Sequence, residues 1–121
     1  MFFNDLIGIR FVERLDDGAI IELPVQESHL NRDLRVHGGV IAALVDVALG
    51  QAITAHRPKA RITTTEMKVN FLRPVREGVM RARARFSKNG RTLVVGSVQV
   101  HGSDGKLVAE GLLTYIVLSE E

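Results

Sequence analysis

The apolar positions of this chain follow two periods. Ahead of residue 24, the runs Ile7–Leu15 and Ala19–Leu23 flank Asp16-Asp17-Gly18, the pattern of two strands joined by a tight hairpin. Pro24 brings no N–H to a ladder and opposes continued central pairing. Val25–Val36 is polar enough to be a loop, and Gly38-Gly39 punctuates its end. Val40–His56 is rich in Ala, Leu, Ile and Val and stops ahead of Pro58, which predicts the one long helix. Gly50 is out of place in it, since an interior glycine costs about 1 kcal/mol against alanine.

Beyond the helix the period becomes two. Arg61–Leu72 sets Met67, Val69 and Phe71 against Glu66, Lys68 and Asn70. Val79–Lys88 sets Met80, Ala82, Ala84 and Phe86 against Arg81, Arg83 and Arg85. Thr92–His101 carries Val94, Gly96, Val98 and Val100 on one face and a mixed set on the other, and Lys106–Leu118 is mostly apolar. The connections Pro74–Gly78, Asn89-Gly90-Arg91 and Gly102–Gly105 are short. Consecutive long strands with short turns predict an antiparallel sheet, one face covered and one partly wet. One apolar helix laid on such a sheet is an α+β architecture.

Composition adds limits. The chain has 121 residues, 45% of them hydrophobic and 25% charged, which suits one compact domain spanning residues 1–121 with a single core. With no cysteine, disulfides, thiolate chemistry and the usual structural zinc site are excluded. The start, Met-Phe-Phe-Asn-Asp, lacks a basic n-region, and the run Val40–Ala55 is short for a membrane span and holds Asp46, Gln51 and Thr54. A cytoplasmic soluble protein with no membrane partner is expected.

The net charge of +2 conceals an asymmetry. The stretch 73–91 holds Arg73, Arg76, Arg81, Arg83, Arg85, Lys88 and Arg91 against Glu77 alone, a basic band that expects either solvent or an anionic partner. Nucleic acid is disfavoured. The chain has six aromatic residues and only Phe86 adjoins the arginines, too little for a stacking platform.

Two features of the helix carry candidate chemistry. Asp46 sits nearly two turns in, between Val45 and Val47, and burying a carboxylate costs several kcal/mol unless it is paired. It is either a structural ion-pair partner or a working group. The helix start, His37-Gly38-Gly39-Val40, has glycines where a side-chain cap is usual, which predicts backbone N–H groups uncovered by any side chain. Such a terminus suits a carbonyl oxygen or an anion, although a tight loop-to-helix turn would use the same glycines.

The run from Asn31 through His37-Gly38-Gly39 to Asp46 resembles the signature of the hot-dog-fold acyl-CoA thioesterases, in their phenylacetate-degradation branch. The likeness continues through Asn70-Phe-Leu-Arg-Pro74 and Asp104-Gly-Lys-Leu-Val-Ala. It implies a long helix wrapped by an antiparallel sheet, in homodimers whose sheets join edge to edge and often in homotetramers. It implies that Asp46 acts as general base or nucleophile on the thioester and that the Gly38 N–H, with Gly39 beside it, polarises the carbonyl. Asn31 and His37 would shape that end of the site, and a strand hydroxyl, by spacing Thr64, would help hold the water. Some of Arg73, Lys88, Asn89, Gly90 and Arg91 would meet the phosphates of coenzyme A, which is part of the substrate; no separate cofactor is implied.

Thioester hydrolysis needs an activated water or carboxylate nucleophile and a stabilised oxyanion, and neither step calls for a metal. Without the resemblance, Asn31 reads as a turn former and Thr63-Thr64-Thr65 as a strand signal. His29, His56 and His101 lack metal-ligand spacing and read as surface residues. The rival to the enzyme is a non-catalytic acyl-CoA-binding domain of the same fold, a sensor or carrier.

Overall fold

The computed structural model describes all 121 residues. In chain order the elements are α1 (Phe3–Ile7), β1 (Arg10–Leu15), β2 (Gly18–Pro24), a single 3-10 turn (Glu27–His29), α2 (Gly38–His56), β3 (Ala60–Phe71), β4 (Val79–Asn89), β5 (Leu93–His101) and β6 (Leu107–Glu120). The six strands make one sheet in the order β1-β2-β4-β5-β6-β3, every pair antiparallel. This is the hot-dog arrangement: one long helix lying on a curved antiparallel sheet.

The helix owes its existence to burial. Ile41, Leu44, Val45, Ala48, Leu49, Ala52 and Ile53 are buried against Ile21, Leu23, Met80, Val98 and Leu113 of the sheet. Each large aliphatic side chain so covered contributes roughly 1.5–3 kcal/mol, far more than Gly50 or the β-branched residues cost. By length and mean hydropathy α2 could cross a bilayer, but its apolar side rests on strands. The alternation predicted for β4 and β5 holds: Met80, Ala82, Ala84, Val94, Val98 and Val100 face the helix.

The chain start departs from its predicted strand. Phe3–Ile7 is helical, and Gly8, with φ of +89°, closes that turn through its N–H to the carbonyls of Asn4 and Asp5. Only from Arg10 does the chain pair as a strand. The polar loop after β2 is also more ordered than its composition suggests. His29 is buried, its Nδ1 accepting from the Gln26 N–H (3.0 Å) and its Nε2–H donating to the Ile7 carbonyl (2.8 Å). His56 is half-buried and donates to the carbonyls of Leu15 (2.8 Å) and Gly18 (3.1 Å), tying the end of α2 to the β1–β2 hairpin. Neither is the surface residue expected. A backbone carbonyl buried in a loop needs a donor, and a histidine supplies one that a pattern of hydrophobicity does not reveal.

Candidate active site

Asp46 sits on the side of α2 that the sheet does not fully cover, and it is half-buried. Inward-facing β3 and β6 positions rise beside it. Thr64 and Tyr115 are paired across those strands, and both hydroxyls donate to the same carboxylate oxygen, Oδ1, at 2.7 Å each. A bulge between Thr64 and Glu66 sets the register there. It separates the roles of the three threonines: Thr63 faces outward opposite Ile116, and the Thr65 hydroxyl donates to the Thr114 carbonyl (3.2 Å). Only Thr64 reaches the acid. Oδ2 of Asp46 accepts no hydrogen bond within the chain, and no buried polar side-chain atom lacks a partner, so Oδ2 is open to solvent. A cleft of about 360 Å³ lies alongside, bounded by Gly50, Gln51, Thr64 and Tyr115.

The start of α2 corrects one expectation. The Gly39 N–H is not uncovered: His37 is the N-cap, and its Nδ1 accepts from Gly39 at 2.9 Å. The Val40 and Ile41 N–H groups turn back to the His37 carbonyl. That leaves the Gly38 N–H as the one free donor of the first turn, facing a shallow cleft of about 310 Å³ with Asn31, Phe71 and Arg73. Asn31 builds the loop before the helix: its Oδ1 accepts from the Asp33 (3.0 Å) and Arg35 (3.1 Å) N–H groups, which leaves its amide nitrogen without a partner in the chain. Gly38 and Asp46 are eight residues apart on one helix, a rise of about 12 Å. One chain does not bring them to a single carbonyl group.

The basic band is divided. Arg81 lies 3.8 Å from Glu22, Arg83 is paired with Asp17 at 2.6 Å, and Arg76 donates to the Asp33 carbonyl. Arg73 stands at the Gly38 end of the sheet, whereas Lys88, Asn89, Gly90 and Arg91 form the β4–β5 hairpin at the other end. Ten residues of strand, roughly 33 Å, separate the two groups. Within one chain they cannot share one cluster of phosphates. The hairpin is instead fixed by Arg57, which donates to Asn89 Oδ1 (2.9 Å), the Gly90 carbonyl (2.7 Å), the Arg91 carbonyl (3.2 Å) and the Glu120 carboxylate (2.7 Å).

A sequence model described as the thioesterase superfamily matches residues 35–109, a span that contains Gly38, Asp46 and Thr64. The chain belongs to this superfamily. A conserved Pseudomonas aeruginosa protein, PA5202, superposes with a TM-score of 0.91 at 34% identity, over 98% of this chain and 94% of that one. Mouse acyl-coenzyme A thioesterase 13 is 30% identical over 112 residues, covering 91% of this chain and 80% of the mouse protein. The N33D mutant of the phenylacetic acid degradation protein PaaI from Thermus thermophilus superposes with a TM-score of 0.85 at 25% identity, over 96% and 98% of the two chains. Thioester hydrolase chemistry is therefore the activity class of this chain.

Within this thioesterase, Tyr115 is the neighbour of Asp46 that sequence reasoning missed. It lies in an apolar run where an aromatic residue reads as core, and it is indeed buried. Burial, with the Asp46 carboxylate beside it, pushes its phenol above the ordinary tyrosine range. One signal did point to it. A Cβ at position 50 would stand 2.8 Å from the Tyr115 hydroxyl, so the odd glycine in the helix is the opening through which that hydroxyl reaches Asp46. A concavity of about 500 Å³ on the outer sheet face, between Lys68, Arg85 and Glu110, contains none of the predicted site residues.

Proposed function

We propose that this thioesterase hydrolyses an acyl-CoA to the free acid and coenzyme A, as a homodimer, with Asp46 as the reacting acid and the Gly38 N–H as oxyanion donor. The observation that carries the reading is the asymmetry of the Asp46 carboxylate: one oxygen is held by two hydroxyls and the other is open. Two fixed donors hold one oxygen in place, and the other, open to solvent, is free to meet a water or a thioester carbon. In the base route, Oδ2 takes a proton from a water whose oxygen bonds to the thioester carbon. The C–S bond then breaks, and the departing thiolate recovers that proton. In the nucleophile route Oδ2 bonds to the same carbon, coenzyme A leaves, and water cleaves the resulting anhydride. Both routes build negative charge on the former carbonyl oxygen, where a fixed backbone N–H at a helix N-terminus stabilises it.

The 12 Å gap between Gly38 and Asp46 supports the dimer. β3 is a 12-residue edge strand, and it carries Met67 and Phe71 exposed on its helix side. A long bare edge is a template for a second strand. Antiparallel pairing of two β3 edges sets the Gly38 end of one subunit beside the Asp46 and hairpin end of the other. The same operation brings Arg73 of one chain towards Lys88, Asn89, Gly90 and Arg91 of its partner, giving the coenzyme A phosphates a shared basic rim. Asn31, His37 and Gly39 then serve by holding the loop and first helical turn that present the Gly38 N–H.

Free-thiol release from a panel of acyl-CoAs, by the wild type and by Asp46→Asn, tests the reading. The wild type turns over at least one thioester, and the variant loses about 10³-fold in kcat while its circular dichroism spectrum is unchanged. Equal rates remove Asp46 from the chemistry. Binding without turnover across the panel would make the chain a sensor or carrier instead.

A further inference from the structure

We infer that Tyr115 is a positioning residue for the reaction: with Thr64 it holds Oδ1 of Asp46, and so fixes Oδ2 as the oxygen that meets the substrate. The inference rests on the reading of Asp46 as the reacting acid and goes beyond it, because it assigns the reactive atom and names the group that orients it.

The geometry runs from the sheet to the helix. Thr64 and Tyr115 are neighbours across the β3–β6 ladder on the inward face, so their hydroxyls approach one point from adjacent strands. That point is Oδ1, at 2.7 Å from each. The Tyr115 hydroxyl lies equally near the Asp46 main-chain carbonyl, also 2.7 Å, yet it has one proton to give. The carbonyl already accepts within the helix ladder, and an ionised carboxylate is the stronger acceptor, so the proton belongs on Oδ1. A carboxylate with two donors on one oxygen cannot rotate about its χ2 axis without losing both bonds. Oδ2 is thereby held towards the open side of α2.

Gly50 makes the arrangement possible. It lies one turn beyond Asp46 on the same helix face, and any larger residue would meet the tyrosine hydroxyl. Two substitutions therefore test the inference from opposite sides. Tyr115→Phe keeps the buried ring and removes the hydroxyl. Gly50→Ala keeps the tyrosine, improves the intrinsic helix propensity, and pushes the hydroxyl off its place.

The experiment is steady-state hydrolysis of the best acyl-CoA from the panel, with the carboxylate stretch of Asp46 followed by isotope-edited infrared spectroscopy. Both variants are expected to lose about tenfold or more in kcat, with KM within about twofold of the wild type, because a misaimed reacting group affects the chemical step rather than binding. The Asp46 stretch shifts in both. A Tyr115→Phe enzyme with wild-type kcat and an unshifted stretch overturns the inference. Equal losses in kcat and in substrate affinity also overturn it, since they report general loosening. If the wild type hydrolyses no acyl-CoA, the proposed function fails, and the infrared shift alone then decides whether Tyr115 holds the carboxylate.

Discussion

Two charged side chains of this molecule are each gripped by several hydrogen bonds, and they are gripped differently. At the far end of the sheet, Arg57 engages all three of its guanidinium nitrogens, with Glu120, Asn89 and the carbonyls of Gly90 and Arg91 as acceptors. Nothing on it is left for a ligand. In the middle of α2, Asp46 has one oxygen bound twice and the other not at all within the chain. A fully engaged charge joins elements; here it locks the β4–β5 hairpin to the end of the helix and the last strand. A half-engaged charge keeps one oxygen for a further partner, which under the proposed function is the substrate it is aimed at. Burial alone does not separate the two roles, because both residues are half-buried.

That contrast can be broken or sharpened by experiment. After Asp46→Asn, the largest effect is expected at the proposed oxyanion donor. Gly38→Pro removes the one free N–H at a position where proline suits a helix start, since His37 already has extended dihedrals. Loss of about 10²- to 10³-fold in kcat with an unchanged melting temperature would show that the N–H acts in the chemistry and not in the helix. Next is Arg57→Met, which keeps the aliphatic stem and orphans acceptors on Asn89, Gly90 and Arg91. Urea denaturation should report a loss of about 2 kcal/mol, with kcat at saturating substrate within about twofold. A large fall in kcat there would erase the distinction between a joining charge and an aimed one.

The smallest effects should appear as pH dependence, at opposite ends of the scale. Glu120 and Asp17 are held below the ordinary carboxylate range, first by hydrogen bonds from Arg57 and Arg83. Their contribution to stability is present above pH about 4 and is lost as pH falls further. Tyr115 is held above the ordinary range, chiefly by burial. Its contribution is intact below pH about 10, where a free tyrosine begins to ionise, and fades as pH rises through that point. Urea midpoints followed from pH 2.5 to 6 and from pH 8 to 11 should therefore fall at both extremes. Tyr115→Phe should flatten the alkaline slope alone, and Arg57→Met should lessen the acid slope alone, leaving the part that Asp17 and Arg83 supply.

Much of this architecture is legible in the chain. The long apolar helix, the two-residue period of β3, β4 and β5, and the connections between strands follow from local chemistry that each segment carries by itself. So does the singling out of Asp46 and the glycine pair. The start of the chain did not follow, because Phe3–Ile7 is too short to show a period and Gly8 ends it with a backbone conformation rather than a side chain. The histidines also escaped, since His29 and His56 answer carbonyls supplied by distant segments.

What the sequence determined by itself was an apolar helix bearing a lone acid, preceded by a start bare enough to offer an N–H. What only the tertiary structure decided was which groups surround them. His37 claims the Gly39 N–H and leaves Gly38 open. The β3 bulge delivers Thr64 rather than its two neighbours. Tyr115 arrives from a strand 69 residues away in sequence. Gly50, a defect in helix propensity, becomes the space that hydroxyl needs. The physical reason is common to all four: propensity and periodicity act between neighbours in the chain, whereas a hydrogen-bond partner is fixed by strand register, which is settled only when the sheet closes over the helix.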